Sequence, residues 1–135
     1  MLMPRKVKHR KWHKRTGRTV ASQRNTLSFG TFGLKAIEDR WVTARQIEAA
    51  RRTMTRSLKR GGKLWIRIFP DRPVTFKGLE VVMGGGKGAV DHYVAAVQPG
   101  TMLFEVDGVP QDNAEKILKA AAYKLPMKTR FVSKM

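Results

Sequence analysis

The sequence predicts an α+β domain, with a mixed and mostly antiparallel sheet and two helices, preceded by an extended basic arm. Three observations support this class. Strand patterns are joined by tight turns and not by regular helical crossovers, which argues against a doubly wound sheet. Two stretches have helical periodicity. Ten Lys and Arg residues precede the first carboxylate, Glu38. We therefore predict a basic arm at 1–26, a single domain at 27–135 and a projecting glycine-rich loop at about 76–90.

The first half of the domain is expected to contain a strand, a helix and a second strand. Apolar residues interleaved with glycines between Leu27 and Ile37 predict one bent strand. Thr43 and Gln46 have the spacing of a capping box, so a helix should start there and stop at Gly61-Gly62. Alternation from Leu64 to Phe69 predicts a strand that ends at a proline-containing turn over 70–73.

The second half is expected to form a hairpin, a helix and a last strand. The strands Val90–Val97 and Met102–Val106 are separated by Gln98-Pro99-Gly100, which suggests that they pair as a hairpin. Pro110 opens a helical pattern that Pro126 closes, and Thr129–Val132 is a short strand. Glu105 and Asp107, beside the Gly108 turn, are interpreted as turn and solubility residues.

Charge points to a polyanionic partner. The chain has 28 Lys and Arg against 10 Asp and Glu, a formal charge of +18 in 135 residues. Such an excess is typical of a nucleic-acid-binding surface. There is no cysteine, so neither a disulfide framework nor a thiolate zinc site is possible. No window approaches the roughly 20 apolar residues of a membrane span, so no membrane partner is expected.

The basic arm is predicted to become ordered on RNA, because it has few core-forming side chains. Trp12 could stack on an unpaired base or anchor the arm to its own domain. His9 and His13 are four residues apart, but the surrounding cations disfavour a metal, so we predict none. The candidate RNA-binding residues of the arm are Arg5, Lys6, Lys8, His9, Arg10, Lys11, Trp12, His13, Lys14, Arg15 and Arg18.

The first helix should present a second basic surface. Its candidate RNA-binding residues are Arg51, Arg52, Arg56 and Lys59, and Glu48 is the one carboxylate among the cations of that pattern. A run of charge is usually a solvated face, but this bias favours contact with RNA.

The glycine-rich loop, Met83, Gly84, Gly85, Gly86, Lys87 and Gly88, allows three interpretations. It could be a plain hairpin loop, a cationic loop facing RNA, or the phosphate cradle of a small nucleic-acid-processing enzyme. The dinucleotide template requires a helix after the loop, whereas 90–97 alternates like a strand. We therefore expect no enzymatic activity and no cofactor.

Blocks along the whole chain match one known family. They are Pro4–Lys11, Phe29-Gly30, Gly33-Leu34, Thr43–Arg51, Ile68–Pro73, Met83–Gly88, Pro99-Gly100, Leu103–Glu105, Gly108–Pro110 and Lys124–Thr129. In this order they are far more specific than any single motif. The chain resembles the bacterial large-ribosomal-subunit protein sixteen family.

This resemblance implies a non-enzymatic domain of the α/β-hammerhead type on large-subunit rRNA, which helps to seat aminoacyl-tRNA near the peptidyl transferase centre. The arm, Arg51 and Arg56 would face rRNA, and the loop with Lys87 would lie near tRNA. The family usually has arginine and often lysine where this chain has Val82 and Gly85. The implied partners are large-subunit rRNA, A-site tRNA with P-site tRNA as a secondary candidate, and neighbouring large-subunit proteins. The expected location is cytoplasmic and ribosome-bound, with an organellar ribosome less favoured.

Overall fold

The computed structural model describes residues 1–6, 8, 25–58, 61–76 and 88–134. Seven strands and two helices lie in these ranges. In chain order they are β1 Phe32–Ala36, β2 Arg40–Thr43, α1 Ala44–Ser57, β3 Lys63–Ile66, β4 Arg72–Phe76, β5 Ala89–Val97, β6 Met102–Asp107, α2 Gln111–Ala122 and β7 Thr129–Ser133. The predicted α+β class is confirmed.

The strands are divided between two sheets instead of one. The first sheet has the order β3-β6-β1-β7, the second has the order β2-β5-β4, and every pairing among the described strands is antiparallel. Strands β2 and β4 were not predicted. β2 has only four residues, and β4 contains Pro73, a residue that usually argues against a strand. β4 is an edge strand, where a missing N–H is tolerated.

The predicted hairpin between β5 and β6 is wrong, because the two strands belong to different sheets. The turn between them bonds to the end of β1: Gly100 N–H donates to Ala36 O at 2.7 Å, and Ala36 N–H donates to Thr101 O at 2.9 Å. Gly100 has a φ of 94°, which glycine adopts without steric cost. The turn is therefore a corner at which the chain passes from one sheet to the other.

The core lies between the helices and the two sheets. α2 contacts β1, β6 and β7 of the first sheet, and α1 contacts α2 and strands of both sheets. Ile47, Leu118 and Phe104 are among the side chains that are fully buried there. The first helix therefore joins the two sheets and has its polar side towards solvent.

The helix starts follow the sequence better than the helix ends. In the capping box, Thr43 Oγ1 accepts from Gln46 N–H at 3.1 Å, and Gln46 Oε1 accepts from Thr43 N–H at 2.9 Å. α1 ends at Ser57, before an extended Leu58 and not at Gly61. α2 ends at Ala122, four residues before Pro126. Both stop signals were therefore assigned too late in the chain.

Candidate nucleic-acid interface

Only some of the predicted RNA-binding residues can be located. Arg5, Lys6 and Lys8 are exposed. Gly88 is partly buried directly before β5. The predicted residues that lie outside the described ranges are His9, Arg10, Lys11, Trp12, His13, Lys14, Arg15, Arg18, Lys59, Met83, Gly84, Gly85, Gly86 and Lys87.

Helix α1 has one buried side and one cationic side. Ile47, Ala50 and Met54 are buried at helical spacing. Arg45, Arg52 and Arg56 are exposed, and Arg51 is partly exposed. Because burial fixes the rotation of the helix, the four guanidinium groups are carried on its solvent side.

Two of these cations share one carboxylate. Arg51 donates to Glu48 through Nη2 at 2.6 Å and through Nε at 2.9 Å, and Arg52 Nε donates to Glu48 Oε1 at 3.2 Å. The hydrogen bond from Arg51 is the main cause that lowers the pKa of Glu48 from 4.5 to about 2. Glu48 is therefore ionised at neutral pH and partly neutralises this side of the helix. Arg56 forms no ion pair with any carboxylate of the described residues.

A buried carboxylate lies on the face of the first sheet opposite to the helices. Glu105 is fully buried, and its Oε1 accepts the backbone N–H groups of Ser28, Phe29 and Gly30 at 2.9–3.0 Å. Arg67 donates to Glu105 Oε2 and also reaches Thr26 O at 3.2 Å. These bonds hold the segment Ser28–Gly30, directly after the basic arm, against the sheet.

Close packing at Gly30 supports the same contact. A Cβ atom there would lie 2.6 Å from Val106 O, which is shorter than any normal contact. Only glycine lets this segment approach the sheet so closely. The prediction of one bent strand from Leu27 is therefore wrong for this segment. The N–H groups of Ser28–Gly30 bond a side chain, and β1 begins only at Phe32.

The interpretation of Glu105 as a turn and solubility residue is wrong. Burial alone would raise the pKa of Glu105, but the hydrogen bonds from Gly30, Arg67, Phe29 and Ser28 outweigh it, and the pKa lies below its ordinary value. Asp107 does match that interpretation, because its Oδ1 accepts from Gly108 N–H at 2.8 Å and from Thr31 Oγ1 at 2.9 Å.

An aromatic cluster lies over the same face of the sheet. The rings of Phe29 and Trp65 are stacked, with centroids 6.0 Å apart and an interplanar angle of 19°. The guanidinium carbon of Arg67 lies 5.3 Å from the centre of the Phe29 ring. We call Phe29 and Trp65 the aromatic platform. Sequence reasoning missed it, although the alternation predicted from Leu64 to Phe69 already put Trp65 and Arg67 on one face of a strand.

Other kinds of site find no support in the described residues. They contain no group of three or more potential metal ligands, and no helix among them is long and apolar enough to cross a membrane. The glycine-rich loop leads into β5 and not into a helix, so the dinucleotide template is not met. A cavity of about 820 Å³ lies between the N-terminal residues, the first turn of α1 and β5.

Comparison with known proteins places the chain among the ribosomal proteins. Residues 4–132 match the model of the family described as ribosomal protein L16p/L10e. The chain is 55% identical over 134 residues to the large ribosomal subunit protein uL16c of Phaeodactylum tricornutum, covering 99% of this chain and 97% of that protein. It is 54% identical over 132 residues to the proteins of the same name from Porphyra purpurea and Thalassiosira pseudonana, covering 98% of this chain and 95% and 96% of theirs.

The chain therefore belongs to the ribosomal protein L16p/L10e family. It is a structural, non-enzymatic constituent of the ribosome, so the enzymatic alternative is unsupported. The relatives carry the name uL16c, which is that of the chloroplast proteins. We expected an organellar ribosome to be the less favoured location, and the name of these relatives conflicts with that expectation.

Proposed function

We propose that this protein binds rRNA of the large ribosomal subunit through the basic arm and the cationic side of α1. The observation that carries the proposal is the outward position of Arg45, Arg51, Arg52 and Arg56 on a helix whose other side is buried. Phosphates are the natural partners of such a surface, because arginine side chains that bind phosphates release the counterions condensed on the nucleic acid. Family membership and the formal charge of +18 support the same assignment.

The salt dependence of binding tests this proposal. For a duplex region of rRNA, each lost phosphate contact should reduce the slope of log K against log salt concentration by about 0.9. Arg56→Ala should therefore lower both the affinity and the slope. Lys119→Ala is the matched control, since it removes an exposed cation from α2. Equal slopes for wild type and Arg56→Ala would mean that this side of α1 is only solvated surface.

We further propose that the loop at about 76–90 helps to position aminoacyl-tRNA in the A site. Support comes from the family resemblance, in which Met83–Gly88 is the part nearest to tRNA. With Val82 and Gly85 at the positions where the family has cations, Lys87 is the cation that this loop offers near its tip. One phosphate contact there would act on the position of tRNA and not on attachment of the protein.

Reconstituted ribosomes carrying loop variants test this second part. Lys87→Ala should leave subunit assembly nearly intact but slow the accommodation of aminoacyl-tRNA. The double variant Val82→Arg with Gly85→Lys should accelerate it, because it adds cations where a tRNA backbone is expected. Equal accommodation rates for all three proteins would mean that the loop is a spacer.

A further inference from the structure

We propose that the aromatic platform binds an unpaired RNA base, with Phe29 as the stacking ring. This inference rests on the proposed rRNA-binding function and adds a defined base-binding position to it. The starting observation is that Phe29 remains 58% exposed although it is held in place from several directions.

The ring is fixed in position before any ligand arrives. The N–H of Phe29 donates to the buried carboxylate of Glu105 at 2.9 Å, which holds the backbone. The ring itself is held by two contacts: it stacks on Trp65, and the guanidinium group of Arg67 lies against it. A base that stacks on it would therefore immobilise little additional side-chain freedom, and pre-organisation of this kind increases affinity.

The surroundings favour a nucleic acid over an apolar protein surface. Lys63 is exposed on the same face of β3 as Trp65, two residues away. Lys134 is exposed, and its N–H donates to Thr31 O at 2.8 Å, two residues after Phe29. The carboxylates of this region, Glu105 and Asp107, already accept hydrogen bonds from the protein. Aromatic rings among cations are the usual arrangement for binding unpaired bases.

The position along the chain also fits an RNA strand. Phe29 comes five residues after Arg24, the last cation of the basic arm. RNA that is bound by the arm would therefore be close to the platform. Phosphate contacts would position the strand, and the ring would accept one splayed-out base.

Fluorescence of a single-stranded RNA that contains 2-aminopurine tests the proposal with the full-length protein. Wild type should quench the fluorophore, because a stacked 2-aminopurine loses emission. Phe29→Leu should reduce the quenching and weaken binding of the single strand by about 5- to 150-fold. Its salt slope should stay unchanged, since no charge is removed. Tyr123→Leu is the matched control: its ring is 77% exposed at the end of α2, and its loss should change neither quenching nor affinity.

A duplex RNA of the same length separates stacking from general attraction. Phe29→Leu should bind the duplex as wild type does, and a thermal melt should show that the variant is folded. Unchanged quenching and affinity for the single strand would overturn the platform while leaving the Arg56 salt effect, and thus the proposed function, intact. Equal losses for single strand and duplex would also overturn it. Failure of wild type to bind any RNA would overturn both proposals.

Discussion

Glu105 links the basic arm to the domain through a single side chain. Three backbone N–H groups and one guanidinium converge on a carboxylate that water does not reach. An ionised carboxylate is stable in such a place only if its charge is compensated by donors. The contact joins residues 75–77 positions apart in sequence, and so it fixes where the arm leaves the fold.

Replacing this carboxylate by its amide should destabilise the domain. Glu105→Gln keeps the shape but places an NH₂ group beside existing donors and leaves Arg67 without its anion. Loss of one partner from a buried ion pair costs about 3–5 kcal/mol in the free energy of unfolding. Urea denaturation of Glu105→Gln measures this loss, and Asp107→Asn, which keeps Oδ1 as an acceptor, should cost about 1 kcal/mol or less. A Glu105→Gln protein as stable as wild type would show that the three N–H groups do not need the charge.

Acid should weaken the same contact. The pKa of Glu105 is lowered in the folded protein, so its stabilisation is present above the unfolded value of 4.5 and is lost as the pH falls through the folded value. Glu48 and Asp107 also have lowered pKa values and act in the same direction. The free energy of unfolding should therefore decrease below about pH 4.5, and less steeply in Glu105→Gln. Parallel pH profiles for the two proteins would contradict this.

At the scale of elements, α1 is the helix whose start is most strongly determined. Its capping box satisfies one N–H at the helix start and one at the cap, and Val42 and Ile47 on either side are buried. The buried side of the helix packs against the two sheets, and its other side carries the exposed arginines. The stability of the helix therefore affects both the core and the cationic surface.

Removal of the cap should destabilise the protein measurably. Thr43→Ala should lower the free energy of unfolding by about 1 kcal/mol, since Gln46 N–H loses its acceptor. Thr55→Ala on the same helix is the control: this exposed hydroxyl donates only to Arg51 O at 2.8 Å, and its loss should change stability by less than about 0.5 kcal/mol. Chemical denaturation compares the two, and equal effects would contradict the role of the cap.

The elements also show which features could be predicted from sequence. Local signals identified the capping box, the two helices and most strands, because each of these signals depends on residues that are close together in the sequence. The placement of β5 and β6 in different sheets could not be predicted, since the same turn residues serve a hairpin and a corner between sheets. The role of Glu105 could not be recognised either, because its backbone donors lie 75–77 residues away and Arg67 lies 38 residues away. The cationic residues of the candidate interface were apparent from charge, whereas the aromatic platform depends on a contact between Phe29 and Trp65 across 36 residues.

At the scale of the whole molecule, the carboxylates decide how much of the cationic surface is available to RNA. Glu48 occupies Arg51 and Arg52 in the free protein. Phosphate would have to compete with this carboxylate for both guanidinium groups. The cationic side of α1 is therefore less attractive to RNA than its composition suggests.

Removing this competition should strengthen RNA binding. Glu48→Gln should make the salt slope steeper by about 0.9 for each arginine that gains a phosphate on duplex rRNA. Glu115→Gln is the matched control, because it removes an exposed carboxylate from α2 and changes the net charge equally. The measurement is affinity for an rRNA fragment over a range of salt concentrations. The same slope in both variants would exclude Arg51 and Arg52 from phosphate contacts.

The basic arm is attached to the domain at two points and not at one. Near its start, Leu2 packs against the hydrophobic core, and just beyond its end Ser28–Gly30 is held by Glu105. Both described flanks of the arm, 1–6 and 25–30, are therefore tied to the same domain. RNA that the arm binds would thus be held at a high effective concentration beside the domain, so that a second contact forms without a long search.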